Sequence, residues 1–94
     1  IQGTEISSIL VSERALDIEL AGPLAFIANG TQGLIIQDIS TPEIPQWIGR
    51  VPLPGSAARV AIQGALAYVV AIGLGLQIVD ISQPTQPVVR GTLP

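Results

Sequence analysis

The sequence predicts an all-β fold made of two copies of one four-stranded unit, and three observations support this prediction. Segments 22–52 and 64–94 align at a constant offset of 42 residues without a gap, and 13 of the 31 aligned positions are identical. Short apolar stretches typical of strands are separated by turns rich in Gly, Pro and Asn. No stretch combines a 3.6-residue apolar period with helix caps, so no helix is predicted.

Each copy contains four predicted strands joined by short turns. Along residues 16–20 apolar and acidic side chains alternate, which is the period of a strand with one buried and one solvated face. Asn29-Gly30 is favoured in tight hairpins because both residues tolerate positive φ. Pro42 and Pro45 interrupt strand pairing because proline has no backbone donor. The predicted strands are 16–20, 24–28, 34–39 and 46–53 in the first copy and 59–63, 66–71, 76–81 and 88–93 in the second.

A four-stranded repeat of this length is typical of a β-propeller blade, since propeller repeats span about 40 to 50 residues. A β-solenoid and a small sandwich are the alternatives. The predicted fold class is therefore all-β, with two four-stranded antiparallel β-propeller blades that form part of a larger propeller or an oligomeric ring. We expect a lead-in segment at 1–14 with a possible extra strand at 6–11, a first blade at 15–56 and a second blade at 57–94.

Composition excludes several classes of protein. With 12% charged and 48% hydrophobic residues, the chain is too apolar for a disordered segment. The net charge is −3 and the four basic residues are isolated arginines, so the basic patch that nucleic-acid binding requires is missing. Residues 60–81 are almost wholly apolar, but the matching segment 18–39 carries polar side chains, so no membrane-spanning helix is predicted.

The third strand of each copy and the turn after it carry a family resemblance. Residues 76–84 read Leu-Gln-Ile-Val-Asp-Ile-Ser-Gln-Pro, and residues 34–38 of the first copy read Leu-Ile-Ile-Gln-Asp. This pattern resembles the LVIVD repeat of bacterial and archaeal propellers. The resemblance implies a propeller on a secreted or surface protein, in a family mostly without an assigned activity. It therefore predicts an extracellular or cell-surface location.

Two aspartates and one tryptophan are the side chains most open to a functional interpretation. Asp38 and Asp80 stand at matching positions before Ile-Ser-x-Pro. A lone aspartate at a strand end accepts hydrogen bonds from nearby turn amides, whereas calcium requires about six to eight oxygens. We therefore predict a turn role for both residues and no metal site. Trp47 is predicted to pack between layers, with a ligand platform or an interface anchor as the alternatives.

The reactive side chains do not support catalysis. The sequence has no His, no Cys and one each of Trp, Tyr and Phe. Glycosidases place two carboxylates across a sugar-sized gap, but Asp17 and Glu19 share one strand face that is predicted to be solvated, and Glu5 stands apart. The loop at 29–33 lacks the Lys and the helix start of a phosphate-binding loop. The prediction is therefore a non-enzyme without catalytic residues, metal or cofactor.

The predicted function is a non-catalytic structural or protein-interaction scaffold. A carbohydrate-binding, lectin-like propeller is the alternative, disfavoured because corresponding loops differ between the copies. Expected partners are further blades of the same protein or identical chains in a homo-oligomer, because two blades cover only the face that they share; a protein partner is also expected, and no nucleic acid. The outer faces are predicted to draw on Ile18, Leu20, Phe26 and Ile36 in one blade and Val60, Ile62, Tyr68 and Ile78 in the other.

Overall fold

The computed structural model describes residues 15–41, 43–53 and 55–93, and within these ranges it contains eight strands and no helix. This confirms the all-β prediction. The predicted lead-in segment at 1–14, with its possible strand at 6–11, lies outside the described residues. The strands are β1 (Asp17–Ala21), β2 (Leu24–Ala28), β3 (Leu34–Asp38), β4 (Gln46–Val51), β5 (Ser56–Gln63), β6 (Leu66–Ile72), β7 (Gly75–Asp80) and β8 (Val88–Leu93).

The eight strands form two antiparallel sheets with the same meander order. The first sheet, β1-β2-β3-β4, is called blade 1, and the second sheet, β5-β6-β7-β8, is called blade 2. Each sheet has a bulge at the same place between its third and fourth strands, after Ile36 in blade 1 and after Ile78 in blade 2. The repeat seen in the sequence is therefore also a repeat of register, and two such sheets are consistent with neighbouring propeller blades.

The hairpin between β2 and β3 differs from the prediction. The only positive φ values among the described residues belong to glycines, so Asn29 does not adopt the left-handed conformation that the tight Asn-Gly turn requires. The loop spans residues 29–33, as predicted, and the Asn29 amide donates to the Gly33 carbonyl over 2.9 Å. Asn29 is buried, and its side chain donates to Gln32 over 3.2 Å. This five-residue loop places Gly30 next to blade 2, where Gly30 pairs with Ala57.

One apolar core lies between the two sheets. Phe26 and Ile36 of blade 1 meet Val69 and Val79 of blade 2 there, and all four are at most 2% exposed. Complete burial of such side chains contributes about 1.5–3 kcal/mol each. Most of the buried hydrophobic residues that the structure describes thus lie where one blade stacks on the other. The buried members of this core are Phe26, Ala28, Leu34, Ile36, Val51, Leu53, Ala57, Val60, Ala67, Val69, Val79 and Ile81.

This core corrects the predicted outer faces. Phe26, Ile36 and Val60 lie in the shared core, and Ile62 packs against it, so none of them belongs to an outer face. The error has a physical reason: β2 and β3 are apolar on both faces, so the two-residue period cannot say which face meets the neighbouring sheet. The prediction was right for Tyr68 and Ile78, which pair on the opposite face of blade 2.

Hydrogen bonds also join the two sheets and fix their relative position. Gly30 and Ala57 form an isolated antiparallel bridge, with N–O distances of 2.9 and 2.8 Å. The Asp17 carboxylate accepts the Val60 amide over 3.0 Å. The prediction that Asp17 lies on a solvated face was therefore wrong, since it satisfies a backbone donor of the next blade, whereas Glu19 is exposed. β5 begins at Ser56, earlier than predicted, because Ser56 and Ala57 pair with Ile72 and Ala71 of β6.

The other face of blade 1 is also buried. Ala25, Ile27 and Ile35 are at most 2% exposed, and Ile18 packs against them. Gln37 is fully buried on the same face, where it pairs with Ala25 in the register. Residues on both faces of blade 1 are therefore buried.

No helix among the described residues is long and apolar enough to cross a membrane. Residues 60–81, the most apolar stretch of the sequence, instead contribute to β5, β6 and β7. The glycines at 64, 73 and 75, which have positive φ, turn the chain between these strands.

Candidate functional site

The turn between the third and fourth strands has the same geometry in both blades. The Asp38 carboxylate accepts the Ser40 amide over 2.9 Å, and the Asp80 carboxylate accepts the Ser82 amide over 2.9 Å. In blade 2 the Ser82 hydroxyl also donates to Asp80 over 2.7 Å. These are the Asx-type bonds that the sequence predicts, because an aspartate at a strand end reaches the amide two residues on.

Each turn borders a shallow pocket, and the two pockets occupy equivalent positions. The blade 1 pocket has a volume of about 130 Å³ and the blade 2 pocket about 230 Å³. Arg90 distinguishes the second pocket, since its Nε lies 3.3 Å from Asp80. These pockets offer carboxylate, hydroxyl and amide groups to solvent. Their linings are Asp38, Ser40, Thr41, Ile44 and Gln46 in blade 1 and Asp80, Ser82, Gln83, Gln86, Val88 and Arg90 in blade 2.

Hydrogen bonding in these turns favours the charged carboxylates. The Ser40 backbone amide, followed by its hydroxyl, lowers the pKa of Asp38 below its usual value of 3.8. The Ser82 hydroxyl, followed by the Ser82 amide, lowers the pKa of Asp80, with a smaller contribution from Arg90. A lowered pKa keeps both side chains ionised at neutral pH, where they hold the turns and are poor proton donors.

This arrangement predicts an acid-dependent stability. Because the pKa values of Asp38 and Asp80 are lower in the folded chain, their stabilising effect is present above pH 3.8 and is lost as the pH falls through the lowered values. The melting temperature should therefore fall on acidification, and the Asp38→Asn, Asp80→Asn double variant should reduce this fall. Calorimetry from pH 7 to pH 2.5 measures it. Glu19→Gln, which removes an exposed carboxylate outside the turns, is the control, and equal acid profiles for both variants would contradict the assignment.

The other candidate side chains are not gathered into a site. No group of three or more metal-ligating acidic side chains occurs in the part of the chain that the structure describes. Asp17 and Glu19 do not line either pocket. Trp47 is 46% exposed on β4, so the prediction that it packs between layers was wrong. It lies next to Gln37 in the register and does not line the blade 1 pocket.

Buried side-chain amides are a feature that the sequence analysis did not identify. Gln37 is fully buried, and neither atom of its side-chain amide has a hydrogen-bond partner among the described residues. Gln77 is 3% exposed and accepts the Thr92 hydroxyl over 3.1 Å. The signal for both was present in the repeat, since each glutamine aligns with an aliphatic residue in the other copy, Val79 and Ile35.

A second feature that the sequence analysis missed is a pair of equivalent glycines. Gly49 lies on β4, and a Cβ placed there would overlap the carbonyl oxygen of Pro84 in the β7–β8 turn. Blade 2 therefore approaches blade 1 closely only because this position lacks a side chain. The equivalent residue of blade 2 is Gly91, where a Cβ would meet nothing closer than Ile78 at 3.8 Å. The sequence signal for this feature was that glycine occupies the same position, 49 and 91, in both copies of the repeat.

Comparison with known families agrees with this repeated geometry. The family described as LVIVD repeat matches the chain twice, at residues 12–52 and 54–93. The chain belongs to the LVIVD-repeat family. Each LVIVD repeat corresponds to one of the two sheets, and the namesake segment is β3 in blade 1 and β7 in blade 2. No curated protein and no solved structure matches the chain.

The LVIVD motif can now be interpreted physically. Its alternate residues face opposite sides of the sheet: Val79 is buried in the core between the blades, and Ile78 points to the other face. Its final aspartate accepts the turn amide that directs the chain into the fourth strand. The motif therefore encodes blade stacking and a turn.

Proposed function

We propose that the chain is a non-catalytic segment of an LVIVD-repeat β-propeller that serves as a structural or protein-interaction scaffold on a secreted or cell-surface protein. The observation that supports this most is the core between the blades, which buries apolar residues of both repeats. A backbone bridge and a hydrogen bond from the Val60 amide to Asp17 also join the two sheets. The carboxylates of Asp38 and Asp80 have turn amides as partners, so they serve the architecture.

The partner surface of this scaffold is proposed to be the pair of β3–β4 and β7–β8 turns. Both turns project from the same end of their sheets and present exposed polar residues, including Thr41 and Gln83. Rigid strands hold such turns in fixed positions, which is how propellers and other β-scaffolds display binding groups. A protein can contact both turns at once, whereas the small pockets suit only part of a small ligand.

A carbohydrate-binding role is the second candidate. The observation that favours it is the repetition of a pocket lined by carboxylate, hydroxyl and amide groups in both blades. No aromatic side chain lines either pocket, whereas sugar-binding sites commonly offer an aromatic platform.

A charge-matched pair of variants tests the scaffold proposal. Thr41→Lys alters the blade 1 turn, and Thr31→Lys places the same change on an exposed threonine at the opposite end of β3. Immobilised chains are incubated with the extracellular proteins of the source organism and analysed by quantitative mass spectrometry. We expect a protein that the unmodified chain and Thr31→Lys retain and that Thr41→Lys retains about tenfold less, equivalent to about 1.4 kcal/mol.

The other outcomes decide between the alternatives. If both variants retained the same protein equally well, the turns would not be the partner surface. Binding on a glycan array that Thr41→Lys abolishes would favour the carbohydrate-binding candidate. Turnover in a broad hydrolase screen, reduced by Asp38→Asn or Asp80→Asn, would overturn the non-catalytic assignment.

A further inference from the structure

Asn29 is the only asparagine in the chain, and the residue after it is Gly30. Asparagine is among the chemically labile residues. The pair Asn-Gly is reactive because glycine has no side chain to keep its backbone nitrogen away from the asparagine side chain. The corresponding residues of the second copy are Ala71 and Ile72, so the reactive pair occurs once. The chain therefore carries one position at which the backbone itself can attack a side-chain amide.

The reaction open to this pair is intramolecular. The Gly30 backbone nitrogen forms a bond to Cγ of Asn29, the bond from Cγ to Nδ2 breaks, and ammonia leaves with the proton that the Gly30 nitrogen gives up. Water then opens the resulting succinimide ring at either of its two carbonyls. The products are aspartate and isoaspartate at position 29, and water is the only other reactant.

Contacts with blade 2 hold the attacking nitrogen. The Gly30 amide donates to the Ala57 carbonyl over 2.9 Å, and the Ala57 amide donates to the Gly30 carbonyl over 2.8 Å. Both backbone groups of Gly30 are thus paired with a residue that is itself fully buried in the core between the blades. The Gly30 nitrogen must break its bond to Ala57 before it can attack Asn29, and this step requires an opening of the structure.

The Asn29 side chain is also held in place. It is 1% exposed, and its Nδ2 donates to Oε1 of Gln32 over 3.2 Å. Its Oδ1 is buried and has no hydrogen-bond partner among the described residues. A carboxylate at this position would therefore place negative charge on a buried oxygen that lacks a donor, which is energetically costly.

We propose that Asn29-Gly30 is a site of succinimide formation that is closed while blade 2 is stacked on blade 1 and that reacts when the blades separate. The reaction is one-way. Aspartate brings a charge into the buried loop, and isoaspartate adds a methylene to the backbone, so both products disfavour return of the bridge to Ala57. Chains whose blades have separated are thus modified permanently and restack poorly. This modification is independent of the scaffold role of the turns.

The rate of deamidation, measured by mass spectrometry, tests the proposal. The chain is incubated in mildly alkaline buffer, either folded or in concentrated urea, and digested with trypsin, whose peptide 15–50 contains the single asparagine. We expect the folded chain to deamidate at least about tenfold more slowly than the unfolded chain, since it reacts only from an open state. Equal rates would overturn the proposal, because the bridge would then give no protection.

Two glycine variants distinguish separation of the blades from fraying of the loop. Gly49→Ala introduces a clash with the Pro84 carbonyl, whereas the Cβ of Gly91→Ala meets nothing closer than Ile78 at 3.8 Å. A slow reaction follows the equilibrium population of the open form. Gly49→Ala should therefore raise the deamidation rate of the folded chain by about fivefold or more, and Gly91→Ala should not. An unchanged rate in a destabilised Gly49→Ala chain would show that the loop opens by itself, which contradicts the proposal.

Two further comparisons do not depend on the glycines. Asp17→Ala removes the acceptor of the Val60 amide between the sheets, so it should also raise the rate, whereas Glu19→Ala on the same strand should leave it unchanged. Equal rates for these two variants would again contradict the gate. Asn29→Asp places the product carboxylate in the loop and should lower the midpoint of urea denaturation. An Asn29→Asp chain as stable as the original would show that the modified chain restacks normally.

Discussion

Ile36→Ala is expected to lower the free energy of unfolding by about 2–5 kcal/mol, the range for removing a buried isoleucine from a core that relaxes only partly. Ile36 is fully buried between the two sheets, where it pairs with Phe26 on β2. The truncation leaves a cavity at the centre of the stack, because neighbouring side chains belong to two separate sheets and cannot close it without moving one blade. Urea denaturation followed by circular dichroism measures the loss.

The repeat provides a matched control for this prediction. Ile78 is the equivalent residue of blade 2, has the same side chain and lies on the face of blade 2 opposite the core, where it is only partly buried. Ile78→Ala should therefore cost less than about 1.5 kcal/mol, since less apolar area leaves the interior. Equal losses for the two variants would mean that the faces do not differ in packing, and the assignment of the core would be wrong.

Gly49→Ala is expected to destabilise the chain by about 1–3 kcal/mol, the usual cost of overpacking a close contact. The new Cβ would overlap the Pro84 carbonyl, which is backbone and cannot move aside as a flexible side chain does. The expected consequence is a lower midpoint in urea, together with loosened packing between β4 and the β7–β8 turn. Hydrogen exchange at the amides of that turn reports the loosening.

Gly91→Ala is the control for this second prediction and should have the opposite sign. Gly91 does not have a positive φ, and its added Cβ would make only an ordinary contact with Ile78. Alanine also reduces the conformational freedom of the unfolded chain, which stabilises a compatible position by about 0.4–1 kcal/mol. A destabilisation by Gly91→Ala that equals that of Gly49→Ala would argue against the close approach of the blades as the cause.

Local features of this protein could be predicted because each depends on residues close together in the sequence. The bounds of β2 follow from an apolar run between turn residues, and those of β8 follow from the prolines on either side of it. The Asp38 and Asp80 turns require an acceptor two residues before an amide, and the repeat shows this pattern twice. The positive φ expected at Asn29 was wrong for the opposite reason, since the loop that contains Asn29 also forms the bridge from Gly30 to Ala57 in the other sheet.

The sequence by itself determined that this chain is all-β, that it repeats every 42 residues and that Asp38 and Asp80 cap turns. Only the tertiary structure decided which face of each sheet is covered. β2, β3 and β6 carry apolar residues on both faces, so no period distinguishes the face that meets a neighbour. The roles of Asp17 and Gly49 also depend on contacts between the blades: Asp17 binds an amide 43 residues away, and Gly49 admits Pro84. Contacts at that separation exist only after the two sheets have stacked.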